Sequence, residues 1–407
     1  MEQAAWTTWV DAALAGQCAL VISQLALTRW RQPWHLPLML VFAGAFIGEL
    51  VSVFISTEYP VLGKGVLFLT AANFLAIGSL WIYVAMLTAP QPILRPWRYY
   101  RHLWPAPLSL LLLIPFFLLP AEEGLALVRN GNVVSDGQFR AAVGIVLGEI
   151  LWEVWTLIYL VAIVRRLSRY RQRLRDFYAS TEQRELWWIT ALVVVVFCFW
   201  LLQLTSIVGY FGFEIEVPPE LELVVGIAVI WIPALWGLQQ MPALAGQASL
   251  EPQAAAALPE SSAQQGVDPV AIAVSDEPGK YARSALSQAD AARIAAKIGS
   301  AMESERLYRD PGLSLTGLSQ SVGVSANYVS QTINTLLGES FFEYVNRLRA
   351  AEAETLLRST DHTALRIAYD CGFNSRSSFY TAFKKHYGAP PAAYRKQLSA
   401  PSGPEAS

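Results

Sequence analysis

Apolar residues crowd the chain as far as Leu238, and only after Ser287 do they settle into helical spacing. The first part holds seven long apolar runs, Trp6–Leu27 and then 35–56, 66–88, 104–120, 141–164, 187–211 and 221–238. Most approach the roughly 20 residues that span a hydrocarbon core, which predicts seven transmembrane helices. The fourth run is short and interrupted by Pro115. In the last part, Ser287 and Asp290 predict a capped amphipathic helix through Ala292, Ile294, Ile298 and Met302. Leu315, Leu318 and Val322 share a helical face, Gly323 supplies a turn, and Ser325 caps a second helix bearing Tyr328, Val329, Ile333 and Leu336. The plan then repeats. Thr363 caps a helix with Leu365, Ile367 and Ala368, Gly372 turns the chain, and Ser375 caps a helix that puts Phe379 and Phe383 on its buried side. Between the two pairs, Phe341, Val345, Leu348 and Leu356 stripe a long helix from Ser340 to Arg358.

The expected fold is all-α. Residues 1–238 form a seven-helix transmembrane bundle, 239–284 a flexible linker, 285–397 a helical domain with two helix-turn-helix units joined by a long helix, and 398–407 a disordered tail. Composition sharpens this division. The chain is 54% hydrophobic and 15% charged and carries 14 Trp, and this apolar excess lies before Leu238.

Charge supplies the direction of the spans. The odd connections hold Arg29, Arg31, Arg95, Arg98, Arg101, Arg165, Arg166, Arg169, Arg171, Arg173, Arg175 and Arg184, whereas the even ones hold only Lys64, Arg129 and Arg140. By the positive-inside rule the odd connections are cytoplasmic, the N-terminus is outside and the C-terminal domain lies in the cytoplasm. Met1–Thr8 has no Lys or Arg, so the first helix reads as a retained span rather than a secretory signal.

The linker is rich in Ala, Pro, Gln, Ser and Gly, with Glu251, Glu260, Asp268, Asp276 and Glu277 scattered through it. A flexible chain of this length has an end-to-end distance of about 35–40 Å. It cannot transmit a rotation, so control is expected through oligomerisation, release of a docked DNA domain, or cleavage. A homodimer of membrane domains would raise the effective concentration of two DNA domains to around the millimolar range.

Cys18, Cys198 and Cys371 lack disulfide or zinc spacing, and free thiols are expected. The net charge of −2 decides nothing about nucleic acid, because acidic segments dilute any basic patch. There is no His-rich metal cluster, nucleophile elbow or phosphate loop, so neither catalysis, a metal nor a cofactor is expected. The seventh run has no Lys for a retinal Schiff base.

The run Ile367-Ala368-Tyr369-Asp370-Cys371-Gly372-Phe373-Asn374-Ser375-Arg376-Ser377-Ser378-Phe379, with Phe383-Lys384-Lys385, Gly388, Pro391 and Tyr394-Arg395, resembles the signature of AraC/XylS-type transcription regulators. The resemblance covers Ser287–Lys396. Ser330–Asn334 and Phe341–Arg347 look like the subgroup fused to a multi-helix membrane domain. Pro390 stands where that family usually has Thr or Ser, and Ser319 where it usually has Ala. The resemblance implies a bacterial inner-membrane protein whose partners are double-stranded promoter DNA, the lipid membrane and RNA polymerase. It also implies two reading helices in successive major-groove segments, roughly 34 Å apart.

By position, the exposed residues of the first reading helix are Asn327, Ser330, Gln331 and Asn334, and of the second Arg376, Ser377, Tyr380 and Thr381, followed by Lys384 and Lys385. Two roles fit Arg376: bidentate pairing with guanine, or a phosphate contact. Asn327 and Gln331 can read adenine or simply face solvent. Lys384 and Lys385 suit phosphate or solvation, and Arg347 and Arg349 suit surface ion pairs.

Within the apolar runs, Glu49, Glu149 and Glu153 are the costliest residues to place. Glu49 and Glu149 lie about 12 Å from the outer ends of their helices at 1.5 Å per residue. They suit an outward pocket for a small-molecule or envelope signal, such as a cationic ligand or a proton. Alternatively, they are protonated groups that bond neighbouring helices, or that meet Lys64 and Arg140. Gly44 and Gly48 suit ordinary close packing or a dimer seam. The function these features point to is a one-component signal transducer. A transporter or transceptor with a regulatory domain, and a simple membrane anchor, are the alternatives.

Overall fold

The structure is a computed structural model that describes residues 2–28, 32, 34–56, 66–89, 97–130, 133–182, 184–212, 219–240 and 286–399. Of the expected linker at 239–284 and tail at 398–407, residues 241–284 and 400–407 lie outside the described residues. Those described are helical, without a named strand. They divide into two compact units, the first of residues 1–169 and 186–245, the second of 170–185 and 246–407.

The first unit contains α1 (Glu2–Thr28), α2 (His35–Ser56), α3 (Val66–Leu87), α4 (Pro105–Leu112), α5 (Ala121–Asn130), most of α6 (Asp136–Phe177), α7 (Trp187–Gly212) and α8 (Pro219–Trp236). Among the described residues four helical stretches are long and apolar enough to cross a membrane: Thr8–Leu27, Phe68–Leu87, Asp136–Phe177 and Trp187–Thr205. Two shorter apolar stretches, His35–Val51 and Leu223–Gln239, accompany them. The expected span 104–120 is not one helix. It is α4 followed by a single turn, Ile114–Phe117, because Pro115 cannot donate to the turn before it.

Small residues set the packing in this unit. A Cβ on Gly44 would lie 2.7 Å from the Ala72 carbonyl, so α2 and α3 touch backbone to backbone there. At the C-terminal end of α3, Arg166 of α6 donates to Thr88 Oγ1 at 2.6 Å and to the Ala85 carbonyl at 2.8 Å. It thereby satisfies a carbonyl that the helix end leaves unpaired.

The second unit contains α9 (Gln288–Ser304), α10 (Leu315–Val322), α11 (Ala326–Thr332), α12 (Phe341–Ser359), α13 (Ala364–Asp370), α14 (Arg376–Tyr387) and α15 (Pro391–Ser399). The caps read from the sequence are in place. Ser287, Ser325, Thr363 and Ser375 each accept from the backbone N–H three residues on. Ser340 and Glu343 form a reciprocal capping box at the start of α12. Two cores flank α12. One gathers Ile298, Met302, Leu315, Leu318, Val329, Ile333, Phe341 and Val345, and the other Ala353, Leu357, Ile367, Ala368, Phe373, Phe379 and Phe383. Leu365 of α13 and Leu336 are exposed.

Candidate nucleic-acid interface

Each short helix pair in the second unit turns on a glycine with positive φ, Gly323 at +65° and Gly372 at +87°. The second helix of each pair is anchored from beneath. Under α14, Phe379 and Phe383 are fully buried, with Phe373 and Phe379 centroids 5.2 Å apart and Phe383 stacked on Tyr387 at 4.7 Å. Because these anchors recur every four residues, the opposite face is left outward. Arg376, Ser377, Thr381 and Lys384 are exposed there, and Tyr380 is half-buried. The structure therefore gathers all five predicted residues of α14 on one accessible face.

The first pair is less regular. Val329 and Thr332 are buried, Asn327 is exposed, and Ser330 and Gln331 are half-buried. Asn334 is exposed but lies past α11, in a wider turn at Ile333–Leu337, and donates to Ser330 Oγ at 3.3 Å.

Local contacts hold the charged side chains. The Arg376 guanidinium lies 4.8 Å from the centre of the Tyr380 ring and donates to its hydroxyl at 3.3 Å. This poses the cation one turn ahead of its own position while leaving most of its donors unused. Lys385 is committed elsewhere. Its Nζ lies 2.7 Å from Glu343, linking α14 to α12. That bond, with help from the Ser340 backbone, holds the Glu343 carboxyl below its ordinary range. Lys384 is exposed one residue earlier on the same helix.

Of two expectations for α12, one holds and one changes. Arg347 pairs with Glu339 at 3.0 Å, as a surface ion pair does. Arg349 is not a surface residue: it is fully buried and donates to the carbonyls of Tyr308 at 2.6 Å and Asp310 at 2.8 Å. Burial lowers its guanidinium pKa to about 10, against the pull of Glu182 and Asp310. The sequence signal was its spacing, four residues beyond Val345 on the buried stripe. Its partners, in contrast, come from an irregular segment that periodicity does not describe. That segment, 306–314, ties the two helix pairs together. Arg306 and Arg309 pair with Glu352, and Asn374 donates to the Pro311 carbonyl at 3.2 Å.

The three carboxyls of the first unit have different named neighbours. Glu49 has Asp11 and Cys18 as its charged or ionisable neighbours, whereas Glu149 accepts from Thr70 at 3.4 Å and neighbours Glu153. Glu153 is buried with both carboxyl oxygens unpartnered. Trp152 Nε1, Trp155 Nε1 and Thr156 Oγ1 on the same stretch are also buried without partners. Among the described residues no group of three His, Cys, Asp or Glu is placed to hold a metal ion.

Comparison with known proteins bears on the second unit. A family model described as a helix-turn-helix domain matches residues 318–397. The melibiose operon regulatory protein of Escherichia coli (strain K12) is 32% identical over 87 residues, 21% of this chain and 29% of that protein. A putative AraC-like transcription regulator of Streptomyces lividans is 34% identical over 97 residues, 23% of this chain and 32% of that protein. The probable transcription factor PqrA of Proteus vulgaris is 30% identical over 96 residues, 24% of this chain and 79% of that protein. Among solved structures, an AraC-type DNA-binding-domain regulator from Chromobacterium violaceum is 26% identical, covering 28% of this chain and 99% of that one, with a TM-score of 0.25. This chain spans less than a third of the length of the melibiose operon regulator.

Proposed function

From the premise that this chain belongs, through its C-terminal domain, to the AraC-type helix-turn-helix transcription regulators, we propose that it is a membrane-bound one-component regulator of transcription. That domain and its relatives are those of DNA-binding regulators, not enzymes. The observation that carries the reading is the exposed row Arg376, Ser377, Tyr380, Thr381 and Lys384 above a fully buried aromatic anchor. Such a helix can enter a major groove without unpacking its own core. With α11 it forms two helix-turn-helix readers. Arg376 pairs with guanine, Ser377, Tyr380 and Thr381 line the groove, and Lys384 meets phosphate. Asn327, Ser330, Gln331 and Asn334 form the first reader, with Asn327 and Gln331 suited to adenine.

The apolar helices of the first unit cross the bacterial inner membrane and leave the C-terminal domain in the cytoplasm. The alternation of Arg and Lys between successive connections supports this orientation. Glu149 and Glu153 form the sensing site, supported by the unpartnered carboxyl of Glu153 among unpartnered indole and hydroxyl groups. A ligand with several hydrogen-bonding groups, or a proton, satisfies such a cluster. Glu49 belongs to a separate polar position on α2.

The test is to map chromosomal binding of the full-length protein and its Arg376→Ala variant. Discrete promoter-proximal peaks that disappear in the variant are expected. Diffuse binding, or peaks indifferent to the substitution, would overturn the reading. For the sensor, Glu153→Gln is expected to keep promoter occupancy but lose its change with stimulus.

A further inference from the structure

The DNA-binding unit includes a segment from far upstream, Tyr170–Glu185, made of the last turns of α6 and the loop behind them. This loop is seated by specific bonds rather than by apolar contact alone. Tyr178 forms an antiparallel bridge with Ser314, and the Ala179 N–H donates to the Leu313 carbonyl at 3.1 Å. From α12, Asn346 donates to the Ala179 carbonyl at 3.5 Å and Arg349 to Ser180 Oγ at 3.2 Å. From the cap of α14, Ser375 donates to Glu182 at 3.5 Å. Ala179 is 1% exposed, and Phe177 packs against the same core as Phe341 and Val345. The loop also closes on itself, with Tyr170 donating to the Arg184 carbonyl at 3.1 Å and Arg184 lying over the Tyr178 ring at 4.2 Å.

Three features make this contact a control point. It reaches the irregular segment 313–314, the buried cation of α12 and the start of α14, so one loop touches the elements that orient both readers. It puts the Glu182 carboxylate at the Ser375 cap, beside the positive end of α14. DNA phosphates are drawn to helix N-termini and to arginine, and they are repelled by a carboxylate already there. Finally, one oxygen of Glu182 is buried without a partner, a cost that disappears when the loop lifts.

We propose that Phe177–Glu182 is an intramolecular docking strap that lowers DNA affinity until it is released from the groove between Leu313, α12 and the cap of α14. This rests on the DNA-binding reading. The strap follows directly on α6, the helix that also carries Glu149 and Glu153.

The experiment uses the full-length protein in lipid nanodiscs, with hydrogen exchange read on peptides covering 174–184 and 311–318. Without DNA, both peptides are expected to be protected. Ala179→Arg, which cannot be buried at this position, is expected to expose both while leaving the 367–383 peptide protected. Addition of a duplex recovered by the full-length protein is expected to deprotect 174–184 in the unmodified chain. Duplex affinity is expected to rise about three- to tenfold in Ala179→Arg and in Glu182→Gln, which removes only the charge. Absence of protection at 174–184 overturns the docking. Protection that persists with duplex bound, or affinity unchanged or lowered in Glu182→Gln, overturns the inhibitory role. A failure of any form to bind a specific duplex refutes the DNA-binding reading instead, and the exchange pattern without DNA still decides whether the strap docks.

Discussion

Gly323 and Gly372 occupy the same place in the two helix pairs, and the structure predicts very different costs for replacing them with alanine. Both have positive φ, so either substitution costs about 1 kcal/mol or slightly more in backbone conformation. A Cβ on Gly323 meets nothing within 4 Å. On Gly372 it would lie 2.7 Å from the carbonyl carbon of Arg309 and 2.8 Å from its Cα. These are backbone atoms held by the bond from Arg349 to the Tyr308 carbonyl and by the pairing of Arg309 with Glu352, so they cannot swing aside. Adding an overpacking cost of about 2 kcal/mol gives roughly 3 kcal/mol for Gly372→Ala against about 1 kcal/mol for Gly323→Ala. At 1.4 kcal/mol per tenfold, amide exchange in the affected core should accelerate about 100-fold in the first and about fivefold in the second. The assay is hydrogen exchange of peptides 367–383 and 315–329 in the full-length protein, under conditions where exchange reports opening equilibria. Equal acceleration in the two variants, within a factor of three, would refute the claim that the Arg309 backbone makes Gly372 obligatory.

Further outcomes follow from the site. Arg376→Ala should lose about 1–3 kcal/mol of discrimination at one guanine, measured with duplexes carrying single base-pair changes; a uniform loss across all of them would mark a phosphate contact instead. Cys371 is fully buried and its thiol is pushed up to about 12, mainly by desolvation. At about pH 8 its thiolate fraction is on the order of one in ten thousand, so iodoacetamide should label it only after unfolding. The Glu343 carboxyl has a folded pKa below its unfolded one, so its pairing with Lys385 stabilises the fold above the ordinary carboxylate range, and this is lost as pH falls through the depressed value. Lys385→Ala should accordingly destabilise α14 by at most about 1 kcal/mol near neutral pH, and progressively less as pH falls below the ordinary carboxylate range, read by hydrogen exchange of that helix.

Much of the C-terminal unit was legible in its residues because helix caps and apolar spacing are local. Ser325, Thr363 and Ser375 cap the helices whose starts they announce, and Phe379 and Phe383 fall on the buried side that a four-residue interval requires. The outward row from Arg376 to Lys384 follows from the same periodicity. The signature around Gly372 pointed to a transcription regulator, and the comparisons agree for that domain.

What spacing could not decide depends on residues far apart in the chain. Arg349 read as one more surface cation, yet the segment at 308–310 covers it and supplies its acceptors. Lys385 read as a cation available to DNA, but Glu343, on another helix, binds it. The loop after α6 read as a basic cytoplasmic connection, and nothing in its composition announces a seat on Leu313, Asn346 and Ser375. Helices, caps and the outward face of α14 are set by interactions within a few residues, so the sequence by itself determined them. Which cation is buried, which is paired and which loop lies against the DNA reader are set by long-range contacts, and only the tertiary structure decided them.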